Sequence, residues 1–365
     1  MADLRRHLAL TLLLLGLPKV GAALDDTTDP ALHAYLLRAM ADQHFSGSVL
    51  VARDGSIVHA RGYGPASSTA DNRAGTAFHV ASVSKQFTAA AIMQLVEAGD
   101  IDLQATINNY LPNRYRAPGW DAVTVHHLLS HSGGIPDYAV SRDYYDVVDG
   151  FCLGDTVDGM VREAMSKPLE FTPGSQYEYS NIGFTLLGFI IEAVTGETYE
   201  GYLERAILRP MGMTSSRVHV EGHVAADNEA DGLRWSDEDG VHVPDDIVSL
   251  PVTAPDGGLV TTLRDFLTWS TIYAGGEQDI LSQDSIATMI TPQVAIGRGG
   301  PLDNYGYGLY VGDRLIGHAG YIVGFRSQFI LDRETNTLIA VFSNNVTNNP
   351  TDIAFELLTL FFEDQ

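Results

Sequence analysis

Strand-like runs lie towards the two ends of this 365-residue chain and helical patterns fill the space between, and that distribution narrows the folds open to it. Near the start, Val49-Leu50-Val51 and Ile57-Val58 flank Arg53-Asp54-Gly55, and Asp-Gly between apolar runs is a strong hairpin signal, so 48–63 is expected to form one. Near the end, 310–318, 325–331 and 337–343 have strand character, the last two joined by a turn over 332–336. Helical spacing covers 29–45, 155–165, 183–194, 199–207, 263–273 and an amphipathic closing segment, 352–362. Residues 101–111 read as a loop with a short turn, and the acidic, weakly patterned 221–244 as a long surface loop. The expected fold class is α/β (α+β): an antiparallel sheet built from N- and C-terminal strands, flanked by helices, with a mostly helical inserted region. No internal repeat or linker interrupts it, so residues 24–365 are expected to form a single catalytic domain.

The central segment is 78–99, FHVASVSKQFTAAAIMQLVEAG. From Phe87 to Val96 only Thr88 and Gln94 are polar, and a helix apolar on nearly all sides is a buried one. Gly99 is the expected stop. Ser82 and Lys85 stand three positions apart at its start, on one helical face and near the positive end of the helix dipole. A hydroxyl and an amine so placed can share a proton, which makes the serine a candidate nucleophile.

A formal net charge of -24 argues against nucleic acid as a partner, because such a surface repels phosphate backbones. The single cysteine, Cys152, excludes an intrachain disulfide and reads as a small buried residue. Residues 1–23 carry Arg5 and Arg6, then the apolar run 8–17, then Val20-Gly21-Ala22. That order resembles a signal peptide, so a periplasmic or secreted protein with no stable membrane span after its removal is expected.

Two further clusters complete the chemistry: Tyr179-Ser180-Asn181, just before an apolar helix, and His318-Ala319-Gly320, at the end of an expected strand and followed by Tyr321. With Ser82-Val83-Ser84-Lys85 they resemble the three active-site motifs of the serine β-lactamase and penicillin-binding-protein superfamily. Within it, the pattern is similar to class C β-lactamases, D-alanyl-D-alanine carboxypeptidases, D-aminopeptidases and related esterases, which use Ser-x-x-Lys, Tyr-x-Asn and Lys-Thr-Gly or His-x-Gly. The stretches LLSHSGGIPDY (128–138), PGSQYEYSNIGFTLLGFIIEAVTG (173–196), ILRPMGMTSS (207–216) and GGLVTTLRDF (257–266) extend the resemblance along nearly the whole chain after the leader.

The roles follow. Ser82 attacks an acyl carbonyl, and Lys85, with its pKa lowered, takes or holds off the proton. Tyr179, which Lys85 could keep partly deprotonated, relays the proton to the leaving group. Asn181 fixes Lys85 and the substrate, or simply caps the helix that follows. The resemblance implies an oxyanion hole from the backbone N–H groups of Ser82 and Tyr321, with Gly320 allowing close approach to the substrate. It also implies small esters, D-amino-acid amides or peptides as substrates, with no cofactor. The alternatives are a true β-lactamase or D-alanyl-D-alanine carboxypeptidase, and a penicillin-binding-like sensor that is acylated without turning over. No Gly-x-Ser-x-Gly elbow, phosphate loop or dinucleotide fingerprint is present. His219 and His223, and His127 and His131, are spaced four apart, but neither pair has an evident third ligand; no metal site is expected, and these residues read as surface loop and, for His131, structural. The oligomeric state is not encoded in any motif.

Overall fold

The computed structural model describes residues 26–137, 147–148, 151–152, 156–220, 222–245, 254–275 and 279–363. The expected leader, 1–23, lies outside these residues, as does the side chain of Cys152.

The sheet joins the two ends of the chain. Among the described residues it has eight strands, and Gly47–Arg53 lies between its hairpin partner Ser56–Tyr63 and the C-terminal strand Thr337–Ser343. Asp54 and Gly55 both take positive φ, 50° and 72°, as a tight Asp-Gly turn requires. Phe325–Asp332 and then Leu315–Ile322 continue the sheet beyond Thr337–Ser343, all antiparallel. The strand carrying His318 therefore runs four residues past it, correcting the expectation that the third motif ends a strand.

Alternation assigns the two faces. Val49, Val51, Ile339 and Val341 pack under the terminal helices Pro30–Gln43 and Pro350–Glu363. Leu50, Leu338, Ala340 and Phe342 point the other way, into the larger core around the central helix Lys85–Glu97. Helices cover both faces, which explains why these strands are apolar on both sides. Asp29 caps the first helix by accepting from the N–H groups of Ala31 and Leu32, worth about 1 kcal/mol.

The inserted region holds the apolar helix Asn181–Thr195, which ends at Gly196 in the left-handed conformation. A second, three-stranded sheet sets Ala77–His79 against Leu259–Thr262 and Arg217–Val218. These strands are too short to carry a visible period, and the sequence reading misses them. It also misses a hairpin, Leu233–Ser236 with Val241–Pro244, inside the stretch read as loop. Its four-residue strands flank the charged turn Asp237-Glu238-Asp239-Gly240, and that turn dominates the pattern.

Candidate active site

Ser82 does not sit in the α-helix proper. It lies in a 3-10 turn, Ala81–Ser84, between the strand Ala77–His79 and the helix Lys85–Glu97. Ala81 takes φ 47°, a conformation costly for a residue with a Cβ, and its surroundings hold it there. Ser84 Oγ donates to Ala81 O at 2.6 Å and accepts from Leu259 N at 2.9 Å. Gln86 Nε2 donates to Val83 O at 3.0 Å, while its carbonyl accepts from Trp269 Nε1 and the Tyr273 hydroxyl. The neighbours Ala81, Val83 and Ser84 are buried, and Ser82 is half-buried.

Beneath Ser82, Lys85 is wholly buried. Its Nζ donates to Ser82 Oγ at 3.1 Å, Asn181 Oδ1 at 2.8 Å and the Asp256 carbonyl at 2.8 Å, using all three donors of an ammonium. Burial brings its pKa down to about 8, against the opposing pull of the Asp256 and Asp137 carboxylates.

Asn181 is held in turn by Asp137, whose Oδ2 accepts from Asn181 Nδ2 and whose Oδ1 accepts from Ile182 N, both at 3.0 Å. Ser180, not Asn181, caps the helix, accepting from Gly183 N at 3.2 Å, so Asn181 is free of capping duty and faces Lys85. Burial pushes the Asp137 carboxyl up to about 6. Neither Asp137 nor Asp256 was singled out in the sequence, since a lone aspartate in a loop carries no pattern.

Tyr179 departs from its expected electronic state. Its hydroxyl oxygen is sealed from solvent without a full hydrogen-bond partner, although Ser82 is close enough to favour its ionisation. Burial outweighs that and holds the phenol pKa well above its ordinary value, with Tyr310 and the two aspartates adding to the rise. Lys85 Nζ stands 4.9 Å from the centre of the Tyr179 ring, over its face. Tyr179 is thus a neutral phenol in the resting site, and Lys85 is the group whose proton is nearest to leaving at neutral pH.

His318 ends a buried relay with a single consistent set of tautomers. His131 Nδ1 accepts from Ser180 N at 3.2 Å, so its Nε2 donates to the Tyr305 hydroxyl at 3.2 Å. Tyr305 donates to His318 Nε2 at 3.1 Å, and His318 Nδ1 donates to the Ala319 carbonyl. Both ring nitrogens of His318 are occupied. Burial, then the Lys85 charge, lowers its pKa to about 3, so the imidazole is neutral at any working pH. His131, read as structural, stands in the same relay and is buried.

The strand register decides where the Tyr321 N–H, one of the two expected oxyanion donors, points. Leu315 O accepts from Gly312 N across a tight turn. Alternation then directs the backbone groups of Leu315, Gly317, Ala319 and Tyr321 to that same edge. The pairing strand there, Tyr310–Val311, extends only to Gly317, which leaves the Tyr321 N–H at an open edge. Gly320 has a packing role that the sequence reading did not anticipate. A Cβ there would lie 2.3 Å from both Val80 O and Ser327 Oγ, so glycine lets the strand dock against the serine turn. Arg326, the cation next to this edge in the sequence, is half-buried: its guanidinium donates to Asn348 O at 3.2 Å and lies 5.0 Å from the ring centre of exposed Tyr321.

The fold also supplies what the His219–His223 pair lacked. His79, at the end of the strand before Ser82, brings a third imidazole to them.

The chain is similar to known proteins along most of its length. A family model described as Beta-lactamase matches residues 32–359. The chain is 28% identical over 316 residues to "Penicillin-binding protein 4*" of Bacillus subtilis, covering 81% of this chain and 67% of that one. It is 31% identical over 233 residues to "Esterase EstB" of Burkholderia gladioli, covering 58% of each. Among solved structures, the octameric penicillin-binding protein homologue from Pyrococcus abyssi superposes with a TM-score of 0.79 at 30% identity, over 91% of this chain and 77% of that one.

Proposed function

The chain belongs to the beta-lactamase family, and on that premise we propose that it is an exported serine hydrolase that forms an acyl-enzyme at Ser82 and prefers neutral esters or D-amino-acid amides and peptides. The observation that carries this reading is the buried Lys85 ammonium, bound at once to Ser82 Oγ, Asn181 Oδ1 and the Asp256 carbonyl. In the neutral form Lys85 accepts the Ser82 proton as the hydroxyl oxygen attacks the acyl carbon. The oxyanion is met by the Ser82 and Tyr321 N–H groups, donors fixed before the reaction begins. Tyr179, a neutral phenol, donates its proton to the leaving oxygen or nitrogen and recovers one from Lys85. Water then cleaves the ester of Ser82 by the reverse sequence.

The substrate preference rests on His318. A β-lactam or a D-alanyl-D-alanine peptide carries a carboxylate beside the scissile bond, and a charged lysine in the third motif would meet it. Here the residue is a neutral imidazole whose only N–H is committed to Ala319 O. The charge of -24 adds a general repulsion of anions. A second reading, hydrolysis of β-lactams or D,D-peptides, draws on the likeness to penicillin-binding protein 4* and on Arg326 beside Tyr321.

Comparing kcat/KM for p-nitrophenyl butyrate and nitrocefin separates the two. The ester is expected to be the better substrate, and His318→Lys is expected to move the ratio towards nitrocefin. Nitrocefin turnover equal to that of the best ester would put the second reading first. A long-lived adduct on Ser82 with no turnover of either would favour the sensor.

A further inference from the structure

The short sheet behind the active site gathers three histidines whose arrangement the hydrolase chemistry does not use. His79, Val260 and Arg217 stand in one row across it, each paired with the next. His219 comes two residues after Arg217, which returns it to the same face, and is tied to the sheet through His219 N to Gly258 O. The chain then turns back, with His223 N donating to Val220 O at 2.9 Å, and delivers a third ring. The centres of His219 and His223 are 4.5 Å apart, and those of His79 and His219 4.9 Å. One ring nitrogen from each of the three lies within 4.8 Å of the others.

Glu229 completes the group. It is anchored beside Ala77 by flanking backbone bonds, pairs with Arg217, and accepts from Nε2 of His79 at 2.8 Å and of His223 at 3.1 Å. A ring that donates from Nε2 carries its lone pair on Nδ1, and a carboxylate behind an imidazole is the usual device that orients a metal-bound histidine. If the cluster served only to bury Glu229, each ring would be expected to bond to it. His219 does not: its Nδ1 is sealed from solvent with no hydrogen-bond partner. A buried lone pair or N–H left in that state is destabilising, and an ion bound there would relieve it.

We propose that His79, His219 and His223, supported by Glu229, bind one divalent transition-metal ion of the class that prefers imidazole nitrogen, such as Zn²⁺. Burial keeps His79 and His219 neutral, with pKa values near 4, the protonation state in which imidazole is a ligand. Tetrahedral Zn–N bonds of about 2.0–2.1 Å set ligand atoms roughly 3.4 Å apart, so binding draws the rings together by little more than 1 Å. Glu229 either takes the fourth position or remains behind the rings. The ion would pin the strand Ala77–His79 to the segment 217–223. Ser82 follows that strand by three residues, and the Phe325 ring, 4.8 Å from that of His79, opens the strand opposite Tyr321. The site is therefore a structural clasp behind the nucleophile and takes no part in the chemical step.

The test uses chelator-treated, dialysed protein titrated with Co²⁺ and read by visible absorption, then with Zn²⁺ by calorimetry, alongside thermal melting. Saturable binding of one equivalent is expected, with the intense bands of four-coordinate Co²⁺ and a higher Tm on loading. His219→Ala and His223→Ala should each weaken binding at least tenfold while leaving kcat for ester hydrolysis within about threefold, and Glu229→Gln should weaken it 10–100-fold. No saturable binding to the wild type would overturn the proposal, whether or not the variants fold. Undiminished affinity in folded His219→Ala and His223→Ala would overturn it equally, by showing that the ion sits elsewhere.

Discussion

At the scale of single residues, the account turns on which group carries the mobile proton. On the proposed mechanism the buried Lys85 amine, near pKa 8, is the base, while burial holds the Tyr179 phenol well above its ordinary pKa. A base acts when deprotonated, so kcat/KM for an uncharged ester should rise with pH through about 8 and then level off. His318, near pKa 3, should add no limb between pH 5 and 9. A profile flat from pH 6 to 10 would remove Lys85 as base. Lys85→Arg should be nearly inactive, because a guanidinium keeps its proton at any of these pH values. Tyr179→Phe keeps the ring over Lys85 and removes the proton donor, so kcat should fall by about 10²–10⁴, the usual worth of general acid–base catalysis. A fall of less than about threefold would make Tyr179 a wall of the site and leave the acid role to Lys85 alone.

At the scale of elements, the site is a junction of three pieces, held by one residue outside the three motifs and one within the third. Asp137 orients Asn181 at the start of Asn181–Thr195, and Gly320 lets Leu315–Ile322 dock on the serine turn. In Asp137→Asn, one oxygen cannot accept from both Ile182 N and Asn181 Nδ2, so Asn181 turns and loses its grip on Lys85. We expect kcat to fall at least tenfold while the fold persists. The stability effect has a definite sign. A carboxyl whose folded pKa is raised from 3.8 to about 6 is harder to ionise folded than unfolded, so it costs stability progressively as pH rises from about 4 to about 6, and fully above that. The Tm of Asp137→Asn relative to wild type should therefore climb over that window. A Tm difference that falls or stays constant would mean that Asp137 ionises freely in the folded protein. Gly320→Ala should cost about 1–3 kcal/mol in overpacking and slow turnover, because the Tyr321 N–H moves with the strand. Unchanged Tm and kcat would show that the serine turn yields to the added methyl group.

At the scale of the whole molecule, the sequence was most readable where one local rule decides a long element. Asp54-Gly55 forced the first hairpin, the apolar run after Lys85 forced a buried helix, and the short apolar run 337–343 forced a strand buried on both faces. Spacing alone placed Ser82 beside Lys85, and Tyr179 and Asn181 join them as the resemblance implied. What stayed hidden depends on contacts between distant short pieces. The sheet that brings His79 to His219 has strands of two to four residues, and the hydrogen-bonded relay to His318 passes through Tyr305 on a two-residue strand. The protonation states were also out of reach, because they are set by burial, which composition does not reveal. The central claim is that one buried amine makes Ser82 the nucleophile of an acyl-transfer enzyme. Its most direct test is to label the protein with a fluorophosphonate, map the modified peptide, and assay Ser82→Ala on the same ester. The account predicts a single adduct on Ser82 and a variant that neither reacts with the probe nor turns over substrate. An adduct on another residue, with ester hydrolysis retained in Ser82→Ala, would contradict it.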